Sequence, residues 1–401
     1  MLYLCKVKRR ISIIRLTVAL IAVLTATHAK AEADNLQSLA EHADSAIYIG
    51  LLTCQPSQEV YSLYGHTAIH YVNKDRNIDV AVNYGMFSFS KPYFVLRFVF
   101  GLTDYEMGIQ EYEDFCQQYA YYKRGIVEQE LSIPAEDKLL FAEAIDNNYL
   151  PQNREYRYNY FYDNCTTRAR DIALGRLASY VKYERQDKGP SFRQMTHEYN
   201  VQHPWARFGN DMLLGVMADR PTTVSEQQFL PNNLMADFEH AMLQMDGTEK
   251  PLVRDTKVVV PFFNQAVEKE FPLRPRECFL ILLVITVVVT VIELYSKKRM
   301  WVFDLLLMIA SGLAGCILFV MIFSQHPTVR FNLQLLLLNP LPLFFLKHLI
   351  VKGRKSFRDK WASLWIVLIC LFFIGSIWQH YAEGMYLVAS SLLIRNIVRL
   401  K

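Results

Sequence analysis

Residues 158–171 read YNYFYDNCTTRARD. The rings of Tyr158, Tyr160, Phe161 and Tyr162 lead into Asp163, Asn164 and Cys165, and two threonines and an arginine follow. The chemistry thus passes from strand-like to helix-like around one cysteine. Asn164 is a good N-cap, which predicts a helix from Cys165 towards Tyr180 with the thiol in its first turn. Partial positive charge and unpaired N–H groups there favour a thiolate and offer donors to an oxyanion. The alternative is a packed core thiol, and the compartment bears on the choice.

The first 31 residues carry Lys6, Lys8, Arg9, Arg10 and Arg15, then the apolar run Leu16–Ala26, then Ala29-Lys30-Ala31. That order reads as a secretory signal with a small-x-small cleavage site, or as an uncleaved anchor; either exports the chain from residue 32 onward. From Cys278 the composition changes, with apolar stretches at 278–295, 301–323, 333–350, 361–381 and 384–398. The first four approach the ~20 residues that cross a bilayer, while the fifth is short and holds Arg395. Lys297, Lys298 and Arg299, the cluster from Lys347 to Lys360, and Arg395, Arg399 and Lys401 mark one side of these spans. The positive-inside rule puts that side in the cytoplasm and residues 32–272 outside it. The net charge of +4 is therefore mostly topological information, and no nucleic-acid partner is indicated. No GxGxxG, P-loop or EF-hand pattern is present.

Within 32–272, SAIYIGLLTC, HTAIHYV and IDVAVNYGMF read as strands, with NKDRN as a turn between the last two. EYEDFCQQYAYYKR, PAEDKLLFAEAIDNNYL and CTTRARDIALGRLASYV read as helices, giving an α+β class, and Pro272–Pro275 reads as a hinge into the membrane. This region holds Cys54, Cys116 and Cys165, an odd number where paired thiols oxidise. Pairing of Cys54 with Cys116 would leave Cys165 free and reactive; three reduced, buried thiols are the other reading. Cys278, Cys316 and Cys370 fall in or beside the spans, where packing is the default, and Cys5 leaves with the signal.

A thiol nucleophile needs a base, and His66 in YGHTAIHY is the candidate. Gly65 permits close backbone approach, and strand alternation puts His66, Ala68 and His70 on one face and Thr67 and Ile69 on the other. Asn83 in AVNYG, on the next strand, has the acceptor chemistry to orient an imidazole. A hydrogen-bonded structural histidine is the plain alternative. His66 and His70 as a metal pair would need a helix, so no metal site is read.

YGHTAIHY, AVNYGMF, YNYFYDNCTTRARD, PWARFGNDMLLGVMADR and FLPNNL, followed by a multi-span tail, resemble the Lnb family of bacterial lipoprotein N-acyltransferases. The His-first, Asn-Cys-later order is also similar to the permuted papain-like, NlpC-type thiol fold of lecithin:retinol acyltransferase. The resemblance implies such a domain with helical additions in the periplasm, then a helical bundle of about five spans in the inner membrane. It implies Cys165 as nucleophile, His66 as base and Asn83 as orienting residue, with no cofactor. The reaction it implies moves a fatty acyl chain from a membrane phospholipid, through a Cys165 thioester, to the α-amine of a diacylglyceryl-cysteine lipoprotein. Tyr158, Tyr160 and Tyr162 would wall the pocket. His326 and Arg330 would lie at the periplasmic interface, either meeting lipid phosphate or as a solvated loop with an interfacial arginine, and Asn339, Pro340 and Pro342 would break the third span around a cavity or kink. A membrane-tethered cysteine peptidase or peptidoglycan amidase would use the same Cys and His with a different acceptor pocket. A non-catalytic assembly factor would need neither.

Overall fold

Alternation in the first strands sorts their side chains onto two buried faces. The computed structural model describes Lys30, Ser38 and residues 42–400 except 60–61, 88–91, 94–95, 98–99, 186–187, 246, 265–270 and 355–358. The expected signal, with Cys5, lies outside the described residues but for Lys30. Seven strands form the main sheet: β1 Ile47–Cys54, β2 His66–Asn73, β3 Ile78–Met86, β4 Asp104–Glu111, β5 Ile126–Leu131, β6 Glu155–Arg157 and β7 Val253–Val260. Their order is β7-β5-β1-β2-β3-β4-β6, antiparallel throughout. NKDRN makes the β2–β3 turn, with Asn73 Oδ1 accepting from Arg76 N and Asn77 in the left-handed region.

Among the described residues, the helices of eight or more residues in this part are α1 Tyr112–Tyr121, α2 Ala135–Tyr149, α3 Cys165–Leu174, α4 Phe192–Tyr199, α5 Pro204–Leu213 and α6 Pro231–Glu239. One face of the sheet, with Ile49, Leu51, Ile69, Tyr71, Val80 and Val82, packs against α2, α3 and α6 through Phe141, Ala169, Ala173 and Phe238. The other face carries Leu52, Cys54, Ala68 and Ala81 beneath Phe115 and Tyr119 of α1. The mixed α/β class follows from the sequence, but two details differ. Helix α3 stops at Leu174, because Gly175 takes φ 48° and the chain continues as a 3₁₀ turn to Ser179. The aromatic run is not a strand either: Asn159 Oδ1 accepts from the N–H groups of Phe161 and Tyr162 and folds the rings into a tight loop after β6.

The C-terminal part is helical. Helices α7 Pro275–Ser296 and α8 Trp301–Met321 are long and apolar enough to cross a membrane. Val284, Ile285, Val288 and Ile292 of α7 are exposed, as suits a lipid-facing surface. The third expected span is not one helix. It runs as short pieces, Pro327–Arg330, Leu333–Leu336 and Leu341–Phe344, before α9 Leu346–Arg354, since Pro340 and Pro342 cannot continue a hydrogen-bond ladder. Helix α10 Ala362–Gly375 has 14 residues, fewer than a span needs, and α11 Met385–Leu400 has 16. Arg395 and Arg399, read from sequence as part of the basic set on the cytoplasmic side, are buried. Arg395 bonds Asp304 at 2.6 Å and Glu293 at 2.6 Å, and Arg399 pairs with Asp359.

A polar clasp joins the two parts. Gln334 donates to Asp211 O at 2.9 Å and accepts from Ala382 N, while Gln379 donates to Leu214 O and accepts from Leu333 N. Gly215 N and Val216 N bond to Thr328 O and Phe331 O. Satisfied side chains hold the broken backbone of 327–344, as non-helical chain at membrane depth requires.

Candidate active site

Cys165 begins α3. Asn164 Oδ1 accepts from the N–H groups of Thr166 (3.0 Å) and Thr167 (2.9 Å), and Thr167 Oγ1 accepts from Asn164 N, closing a capping box. The Asn164 amide also donates to Tyr160 O and Phe229 O, so the cap is tied to two loops. Two first-turn donors are thereby used. The backbone N–H that remains for an oxyanion at this turn is that of Cys165 itself.

His66 opens β2 and lines the same cavity as the thiol, near enough for the two to shift each other's titration. Its Nε2 lies 3.1 Å from Asn83 Oδ1. An amide oxygen only accepts, so Nε2 carries the proton and Nδ1 is left to serve Cys165. At Gly65 φ is +81° and a Cβ would fall 2.7 Å from Cys54 O, which is why only glycine fits before the histidine. Across the ladder Ala68 pairs with Asn83, so His66, Ala68, Asn83 and His70 share the face read from the alternation.

Electrostatics separate the three thiols. Burial pushes Cys54 up to about 12 and raises Cys116 as well. Burial also acts to raise Cys165, but charge and hydrogen bonding from His66, the Thr67 backbone and the Thr166 hydroxyl outweigh it, and its pKa falls below the ordinary thiol value. For His66, burial acts to lower the pKa, and the Cys165 thiolate with hydrogen bonds to Cys165 and Asn83 raises it above the ordinary value. Both directions favour a thiolate–imidazolium pair. Cys54 and Cys116 are free thiols packed in one cluster, so their expected disulfide is not present, although the proximity is.

A cavity of about 710 Å³ opens on Cys165 and His66. Tyr64, Tyr84, Tyr105, Tyr158, Tyr160 and Phe229 make much of its wall, and Met321, His326, Thr328 and Val329 of the membrane part close one side. Its size and apolar lining suit a lipid-like ligand. Of the expected wall residues, Tyr158 and Tyr160 are present. Tyr162 instead turns away, packing on Phe192 with its hydroxyl bonded to Arg220. His326 lines the cavity; Arg330 is exposed with its Nε bonded to Ser324 O, and does not. Sequence reasoning misses Thr67, Thr166 and Arg124, and only Thr67, next to His66, has a signal near it. No group of three or more His, Cys, Asp or Glu able to hold a metal occurs among the described residues.

Fold and site together define a membrane-associated domain carrying a Cys–His–Asn constellation. The Lnb N-terminal periplasmic domain matches residues 37–197 and the Lnb transmembrane domain residues 266–401. The chain belongs to the Lnb family, with a periplasmic N-terminal domain and a transmembrane C-terminal one. No curated protein and no solved structure matches it.

Proposed function

We propose that the chain is a multi-pass inner-membrane lipoprotein N-acyltransferase that moves a fatty acyl chain from a glycerolipid ester to the α-amine of a diacylglyceryl-cysteine lipoprotein. The observation that carries the reading is the Cys165–His66–Asn83 arrangement inside an apolar cavity completed by the membrane domain. The Cys165 thiolate attacks the ester carbonyl, and the Cys165 N–H faces the developing oxyanion. His66 gives its proton to the departing glycerol oxygen, leaving a thioester. The acceptor amine attacks the thioester, the amide forms, and the thiolate leaves. Holding both lipids at one membrane surface raises their effective concentration at the thiol. The chain order His66, Asn83, Cys165 on an antiparallel sheet supports the permuted papain-like reading. A soluble peptide acceptor, as in a peptidase or amidase, has no need of a wall supplied from the membrane.

Mass spectrometry of lipoprotein N-terminal peptides tests the proposal. Cells with the native protein should show an N-acyl chain that cells with Cys165→Ala lack. Isotope-labelled phospholipid would tell whether the chain comes from phospholipid or from a lipoprotein's own glyceryl ester. N-acylation undiminished by Cys165→Ala would overturn the reading.

A further inference from the structure

Aminolysis by an ammonium substrate releases more protons than the Cys–His pair can absorb. After acylation His66 is neutral, having protonated the departing glycerol oxygen. The acceptor arrives as R–NH₃⁺, since an α-amine has a pKa of about 8. It must lose one proton to become a nucleophile and a second once the N–C bond has formed. Breaking the C–S bond restores the thiolate, and His66 takes one proton to restore the ion pair. One proton is left over.

His326 is placed to receive it. It lies just beyond the end of α8, in the short turn before Pro327, and its ring lines the same cavity as Cys165 and His66. The ring packs so closely on Gly101 that a Cβ there would come within 3.0 Å of it. The imidazole makes no hydrogen bond among the described residues; the bonds of His326 are those of its backbone, the N–H donating to Ser324 Oγ and the carbonyl accepting from Val329 N. Burial lowers its pKa, which keeps it neutral at pH 7. The charged groups on neighbouring elements are engaged elsewhere: Arg97 and Arg157 with Asp104, Arg157 also with Gln325 Oε1 at 2.9 Å, and Arg330 with Ser324 O. The cavity itself presents Cys165, His66, Arg124 and tyrosines, with no carboxylate among its described lining residues. A neutral imidazole with no ring hydrogen bond among the described residues is a poor holder of phosphate, the role its sequence position suggested, and keeps a ring nitrogen open to accept a proton.

We infer that His326 is the base that takes the surplus proton from the acceptor's ammonium group, so that the membrane domain supplies part of the second half-reaction. The inference rests on the acyl-transfer reading. In full-length protein in mixed micelles, acyl-Cys165 is formed from phosphatidylglycerol or from an N-acetylated diacylglyceryl peptide, neither of which has a free amine. The acyl-enzyme is then chased with a diacylglyceryl-cysteinyl peptide or with hydroxylamine, which is largely unprotonated at neutral pH. His326→Gln and His326→Asn should form acyl-enzyme like the native protein, which also reports that they fold. Their peptide chase at pH 7 should be at least ~10-fold slower. That defect should shrink as the pH passes about 8, the amine's own pKa, and the hydroxylamine chase should match the native one. Equal slowing of both chases, a defect that persists at high pH, or loss of acyl-enzyme formation would overturn the inference. A native protein that forms no acyl-enzyme would instead overturn the acyl-transfer reading itself.

Discussion

Cys165 differs from Cys54 and Cys116 in its surroundings, and the difference can be measured by alkylation. The Cys165 pKa lies below the ordinary 9.0, so its iodoacetamide reactivity should rise at lower pH than for a free thiol. In His66→Ala the main support of the thiolate is gone and only the Thr67 backbone and the Thr166 hydroxyl still oppose burial, so the rise should move to higher pH; an unmoved profile would refute the pairing. Acylation should follow a bell, lost in acid as the thiolate protonates and lost in alkali as His66 gives up the proton its leaving group needs. Cys165→Ala should bring N-acylation below detection and His66→Ala should cost ~10²–10⁴-fold. Asn83→Ala should cost less, because it orients the ring without being consumed. His66, Asn83 and Cys165 are legible in the sequence because each sits in a short, chemically distinctive motif. Tyr162 is not, because the Asn159 turn breaks the alternation that would have aligned the rings.

At the scale of elements, the cap of α3 and the polar cluster on the sheet's far face carry separate costs. Asn164→Ala removes the acceptor of two N–H groups and the donor to two carbonyls, so it should destabilise by roughly 2 kcal/mol or more. Thermal unfolding in detergent checks this. On the other face, Glu128 accepts from Tyr48 and Tyr112 and bonds His70 Nδ1 at 2.5 Å. Burial acts to raise its pKa, but the His70 and tyrosine contacts outweigh it and bring it down from 4.5 to about 2. A carboxylate depressed in the folded state stabilises above its unfolded pKa, and that contribution, about 3 kcal/mol, is lost as pH falls from 4.5 through 2. The native protein should therefore lose more stability than Glu128→Gln across that window, and parallel curves would contradict this. The strands β1 to β3 are legible from alternation. Strand β7 is not, since VRDTKVVV is half polar and mostly exposed and finds its partner at Leu131 far back in the chain.

For the whole molecule, the membrane domain completes the cavity as well as anchoring it. Gln334→Leu should leave Ala382 N without its partner, at about 1–3 kcal/mol, and take one of two donors from Asp211 O, which keeps Arg193 Nη1. It should lower both thermal stability and acyl transfer while leaving Cys165 alkylation unchanged; a matching fall in alkylation would show that the clasp shapes the thiol site directly. Residues 333–350 read as a span because composition alone reports solubility in lipid, whereas the broken backbone of 327–344 is held by glutamines that sequence leaves unassigned. A reporter near residue 200 should be accessible from the periplasm, and cytoplasmic access would refute the topology.

The central claim is that Cys165 carries the acyl chain. Intact-mass measurement of the full-length protein mixed with amine-free glycerolipid should show one added acyl group, localised to the Cys165 peptide, removed by hydroxylamine and absent from Cys165→Ala. An acyl group on another residue, or none while N-acylation proceeds at the native rate, would contradict it.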